Sequence, residues 1–183
     1  MLLALVGVTG VGKTYYTNKI VDELEFKKIN TIKTRKKREN EIAGKSAIFM
    51  TKKDLDRLEN ENKIAYRFSV FGGEYAYLKE EIFSKENSVF EMHYTTIYDW
   101  KKIKPDIKTI YIYPKDIKIA KQKVLERNLS SEKEEERIRE IDEHYNNIIN
   151  NDFLRKQFDY IVYNNYDQKS DIEIMNLVKS MIK

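Results

Sequence analysis

The segment "VGVTGVGKTYYTNK", residues 6–19, follows the apolar run "MLLAL" and decides how the rest of the chain is read. Gly7, Gly12, Lys13 and Thr14 fit the spacing GxxxxGK[ST], between an apolar stretch that reads as a buried strand and a segment, Lys13 to Leu24, that reads as a helix. That placement has a physical meaning. Glycines let the backbone curl so that successive N–H groups point inward at phosphate oxygens, and the helix N-terminus adds partial positive charge. Gly7, Val8, Thr9, Gly10, Val11 and Gly12 would then cradle nucleotide phosphates, Lys13 would bridge the β- and γ-phosphates, and Thr14 would offer its hydroxyl to Mg2+. The bland alternative is a strand-to-helix turn that happens to carry these letters; with glycine at about 7% of ordinary sequence, such a chance match is uncommon.

Working outward, 183 residues suit one domain with a sizeable core. Charged residues make up 35% of the chain, yet 34 basic residues against 30 acidic ones leave a net charge of only +4, which neither requires nor excludes a polyanionic partner. The absence of cysteine removes disulfides, thiolate metal sites and cysteine nucleophiles, and fits a reducing, cytoplasmic location. The opening "MLLALVGV" lacks a basic leader and is too short to span a membrane, so it reads as a strand. No membrane or nucleic-acid partner is expected. The 13 tyrosines and Trp100 are scattered without a stacking platform and read as core or cleft lining.

Further apolar runs suit buried strands at "NTIKT" (30–34), "SVFEM" (88–92), "IKTIYIY" (107–113) and "FDYIVYN" (158–164). Helical segments fall between and after them: "TKKDLDRLEN", with Thr51 as N-cap and Asp54 three residues on, "KDIKIAKQKVLERN" and "IEIMNLVKSMI". Alternation at this spacing predicts an α/β fold of three layers around a mostly parallel central sheet. The charged, tyrosine-rich stretch 35–85 breaks the alternation and reads as an insertion with short strands of its own. Within "TIKTRKKRENE", Arg35 and Arg38 leave a strand end together, an arrangement that can clamp a phosphate or simply be a solvated basic loop.

Taken in order, "GVTGVGKT", "KTRKKRENE", "VFGGEYAY", "FEMH", "LERNLSSEKEEERI" and "IVYNN" resemble the guanylate kinase family, which carries a P-loop, a "TTRxPR" motif, a "VFGNYYGT"-like segment, an "LEID"-like strand, an arginine-bearing lid and a "VVN" strand. The resemblance spans nearly the whole chain. It implies a P-loop NTPase-like core at about 1–34, 86–127 and 137–183, a nucleoside-monophosphate-binding insertion at about 35–85 and a short lid at about 128–136. It implies ATP with Mg2+ as phosphoryl donor and GMP or dGMP as acceptor, in a monomer or homodimer. By position, Thr31, Arg35, Arg38 and Tyr75 correspond to acceptor-site residues. Lys123, Arg127 and Arg137 correspond to the basic residues that meet the transferring group, Lys13 acting with the two arginines, and Asn164 to a contact of the donor adenine.

The departures bear on specificity. Lys37 stands for the motif's proline, Ala47 for a phosphate-holding tyrosine, Tyr66 for a guanine-reading glutamate, His93 for an aspartate and Tyr77 for a small hydroxyl residue. Losing two carboxylates at those places should weaken discrimination for guanine. Glu91 keeps the acidic position and could orient a Mg2+-bound water or touch the acceptor, while His93 could bond a base or pack in the cleft wall. His144, on a charged helix, is expected to be solvated. The same letters leave open a kinase of another nucleotide or sugar phosphate. They also leave open a binding module without turnover, against which the intact Gly12, Lys13 and Thr14 argue.

Overall fold

The structure, a computed structural model, describes residues 1–37, 41–44, 47–70, 72–127 and 129–182. In chain order the elements are β1 (Leu2–Val6), α1 (Lys13–Leu24), β2 (Lys27–Lys28), β3 (Ile32–Lys33), β4 (Ile48–Phe49), α2 (Lys52–Asn60), β5 (Ile64–Val70), β6 (Gly73–Leu78) and α3 (Lys79–Ile82). They continue with β7 (Ser88–Glu91), α4 (Ile97–Ile103), β8 (Lys108–Pro114), α5 (Ile117–Leu125), α6 (Ser131–Ile149), α7 (Asp152–Arg155), β9 (Tyr160–Asn164) and α8 (Gln168–Met181).

A five-stranded sheet in the order β2-β7-β1-β8-β9 is parallel at every pairing. β1 lies at its centre, and all five of its residues are buried. Its alternate residues feed two cores: Leu2, Ala4 and Val6 join Trp100, Tyr111 and Phe158 on one side, while Leu3 and Leu5 join Ile20, Val124 and Ile174 on the other. A strand covered on both faces has no polar side, which is why the opening run is continuously apolar rather than alternating. The result is the expected α/β three-layer, P-loop NTPase-like arrangement.

A second sheet, β4-β3-β6-β5, carries the residues between α1 and β7. Ile32, Leu55 and Ala76 form its own small core beneath α2. That helix starts as its sequence implies, with the Thr51 hydroxyl accepting from the Asp54 N–H at 3.2 Å. One expectation is corrected here: "NTIKT" supplies β3 of the second sheet, not a strand of the main one, whose edge is the short β2. Ile32 pairs with Ile48 and Ala76, and its burial comes from α2 rather than from the central layers. Most of the expected lid is also already helical, since 131–136 are the first turns of α6. Among the described residues no helix is long and apolar enough to cross a membrane.

Candidate active site

The turn from β1 into α1 sits at the C-terminal edge of the parallel sheet, where helix N-termini and strand ends leave a crevice. Its conformation is built by close contact. Gly10 has φ 86, and a β-carbon there would stand 2.3 Å from the Ala120 carbonyl oxygen on α5. Replacing Gly10 with alanine is therefore expected to cost about 3 kcal/mol or more, from left-handed strain plus a backbone clash. Gly44→Ala, also at positive φ but with nothing within 4 Å, should cost only the conformational part. Thermal unfolding of the two variants side by side checks this, and equal losses would count against the close approach.

From the far side the loop after β9 braces the turn. The Asn164 amide donates to the Val11 carbonyl at 3.0 Å and accepts from the Tyr166 N–H at 2.7 Å, while the Tyr166 hydroxyl donates to the Gly10 carbonyl at 3.3 Å. Asn164 is only 4% exposed and does not line the cleft. In this structure Asn164 supports the glycine turn. On α8, Asp171 accepts from Tyr15, Tyr16 and Lys19, tying α1 in place.

The crevice opens into a cleft of about 900 Å³ shared by both sheets. On its core side lie Lys13, Thr14 and Glu91; on the second-sheet side Thr31, Arg35 and Tyr75; and from α5, the turn after it and α6 come Lys123, Arg127 and Arg137. His93 also lines it. Arg38 lies outside the described residues. Val8 and Val11 have buried side chains, so only their backbone is available to a ligand.

The Lys13 ammonium donates to the carbonyls of Gly7 at 2.8 Å and Val8 at 2.9 Å. Its pKa is lowered by desolvation, with Glu91 opposing and Arg127 reinforcing the shift. Arg127 is lowered as well, by desolvation and then by the neighbouring Arg137. Cations crowded this way need an anion between them. Arg137 donates to Glu140 at 2.5 Å, and Lys123 to Glu126 at 2.9 Å. The Thr14 hydroxyl donates to Glu91 Oε1 at 2.7 Å, so two hard oxygen ligands stand together beside Lys13. That chemistry fits Mg2+, an ion usually held by one or two protein oxygens together with substrate phosphates.

Arg35 is held by a residue the sequence did not single out. Its Nη1 and Nη2 donate to the two carboxylate oxygens of Glu41 at 2.7 and 2.6 Å, and this pairing raises its pKa. Tyr66, standing for a carboxylate, donates to Asp99 of α4 at 2.6 Å. His144 corrects another expectation: it is 9% exposed, bonded through Nε2 to the Tyr111 hydroxyl at 3.0 Å and stacked on Tyr94 at 3.9 Å. Its place on the inward side of α6, in step with Ile141 and Ile148, put it there.

Burial and then the Lys13 charge lower His93 to about 4, and burial, Lys13 and His93 lower His144 well below 6.5. Both imidazoles are neutral in the fold at neutral pH. Above pH 6.5 neither folded nor unfolded chain binds these protons; as pH falls from 6.5 toward 4, only the unfolded chain takes them up, and stability is lost. The expected slope is at most about 1.4 kcal/mol per pH unit for each histidine. Urea unfolding across this window checks it, with His93→Asn expected to flatten part of the slope; an unchanged slope would contradict the assignment.

A glycine turn at the edge of a parallel sheet, facing a basic cleft, defines an α/β protein of the P-loop NTPase-like class. Within that class the guanylate kinase family model matches residues 1–182, and the chain belongs to that family. It is 28% identical over 193 residues to a guanylate kinase of Mycoplasma mobile, covering 99% of this chain and 93% of that protein. It is 26% identical over 137 residues to one of Clostridium acetobutylicum, covering 73% and 66% of the two. The crystal structure of guanylate kinase from Anaplasma phagocytophilum shares the fold with a TM-score of 0.74 at 17% identity, over 100% of this chain and 87% of that one.

Proposed function

We propose that the protein is an ATP-dependent nucleoside monophosphate kinase that transfers the γ-phosphoryl group to GMP or dGMP, at a site in the cytoplasm. The observation that carries this is the meeting in one cleft of the glycine turn, Arg35 just beyond a strand of the second sheet, and Arg127 and Arg137. Family membership and the P-loop fold support it.

The turn amides and Lys13 bind the donor's phosphates, Lys13 exchanging the Gly7 and Val8 carbonyls for phosphate oxygens. Arg35, oriented by Glu41, and Tyr75 hold the acceptor phosphate, with Arg38 proposed beside them from its sequence position. An acceptor phosphate oxygen attacks the γ-phosphorus in line, the bond from that phosphorus to the β,γ-bridging oxygen breaks, and ADP and a nucleoside diphosphate leave. Lys13, Arg127 and Arg137 stabilise the charge on the moving group. Mg2+, held on this chain by Thr14 with Glu91 beside it, would supply further charge neutralisation. No covalent intermediate on the protein is required. Closure of the second sheet and of the turn before α6 would exclude water.

The test is ADP release with Mg-ATP, with and without GMP or dGMP, and chromatographic identification of the product. ADP matched by GDP or dGDP supports the reading. ADP without acceptor, or none with any nucleoside monophosphate, contradicts it.

A further inference from the structure

Resting on that reading, we propose that the acceptor site selects nucleoside monophosphates by their phosphate and the flat face of the base, with little readout of the base edge, so that GMP is one accepted substrate among several. The groups that tell a donor edge from an acceptor edge are those that can only accept, such as carboxylates, or only donate, such as lysine and arginine. Among the described residues lining this cleft, those groups already have partners of their own or stand in solvent. Glu41 holds Arg35 in a two-point pair and lies 3.5 Å from Lys33, Glu91 accepts from Thr14, Glu140 accepts from Arg137, and Lys28 donates to Asn18. Glu143 is solvent-exposed on α6, where water competes for its oxygens and leaves little discrimination.

What remains for the body of the acceptor is of the opposite kind. Thr31, whose side chain also meets the Tyr77 hydroxyl, brings a hydroxyl that can give or take a hydrogen bond, and His93, whose Nδ1 meets the Thr95 hydroxyl at 2.7 Å, brings an imidazole whose donor and acceptor roles follow its tautomer. The Tyr77 hydroxyl is spent on the Glu91 carbonyl at 3.1 Å with its residue 2% exposed, and Tyr66, behind the wall, is spent on Asp99. The surface between is aromatic: Phe68 lines the cleft and stacks on Tyr75 at 5.5 Å between ring centres, with Tyr66 on it at 5.4 Å. A ring face accepts any base, because every base has a π-face.

Calorimetric titration of the full chain with GMP, IMP, AMP, CMP, UMP and ribose 5-phosphate tests this. The five nucleotides should fall within about tenfold of one another, and ribose 5-phosphate should bind at least about tenfold more weakly than GMP. Any one base preferred by more than tenfold, guanine included, overturns the inference while leaving the kinase reading intact. Ribose 5-phosphate binding as well as GMP also overturns it, since the ring wall would then contribute nothing. Phe68→Ala should weaken the five nucleotides together by about tenfold and leave ribose 5-phosphate unchanged, a pattern that general damage to the fold would not produce. Uniform weakening that includes ribose 5-phosphate counts against the proposal, and failure of the wild-type chain to bind any of the six overturns the kinase reading itself.

Discussion

Lys13→Ala is expected to lower kcat by about a thousandfold while leaving the fold in place. The ammonium lies in the cleft at the start of α1, and its surroundings bear on what its charge would do. Desolvation and Arg127 both act against the charged form, and Glu91 is the group that offsets them. An ammonium held against that opposition, at the mouth of a turn whose amides face the same space, is placed to meet negative charge that builds up on a transferring group. Its two carbonyl partners, Gly7 and Val8, belong to the turn, so removing it will also loosen the turn slightly. The measurement is therefore paired: ADP release for the rate, and thermal unfolding for the fold. A rate loss under tenfold, or a collapse in melting temperature accounting for the whole loss, would contradict the assigned role.

The glycine turn and its helix were legible because they depend on neighbours in sequence. GxxxxGK[ST] sets the backbone path, and α1 runs over the residues its pattern implies. Thr51 and Asp54 marked α2 for the same reason, a cap being a contact across three residues. β2 is two residues long and carries no apolar signal, so "NTIKT" took its place in the reading, although the residues that bury Ile32 come from α2 and β6. Of α6 only a charged helix around His144 was legible, not its extent or its inward side, because its 19 residues bury only Ile141, His144 and Ile148, a stripe too narrow to stand out against the charges around it.

In the site, the family resemblance located the residues that face the cleft better than those that hold them. Lys13, Thr14, Arg35, Tyr75, Glu91, His93, Arg127 and Arg137 all line one cavity. Glu41, Asp99 and Tyr166 were missed, and each acts through a tertiary contact: Glu41 on Arg35 across a loop, Asp99 on Tyr66 over 33 residues, Tyr166 on Gly10 over 156. Tyr166 has one local sign, a φ of 60 in a residue type that rarely takes it, but that is visible only once the backbone is known. Asn164 was picked out by the resemblance alone, and its brace on the Val11 carbonyl, 153 residues away, is a contact the sequence does not display.

The second large effect is expected at Arg137, where alanine should lower kcat by about a thousandfold with ATP affinity changed less than about threefold. Arg137 stands on α6, across the cleft from the glycine turn's own helix, with its side chain 15% exposed and paired to Glu140. Arg127 lies near enough for Arg137 to lower its pKa, so the two guanidiniums repel each other in the protein as it stands. An arrangement that costs stability persists where charge appears between its members during the reaction. On the proposed reading, ATP binding would draw mainly on the turn amides and Lys13, and the group in transit on the arginine pair. Removing Arg137 relieves its repulsion with Arg127 but strips Glu140 of that partner, so the melting temperature should change little while turnover falls. Single-turnover kinetics separate the steps: a loss confined to the chemical step with ATP still bound supports the role, and parallel losses in ATP affinity and kcat would place Arg137 in ground-state binding instead.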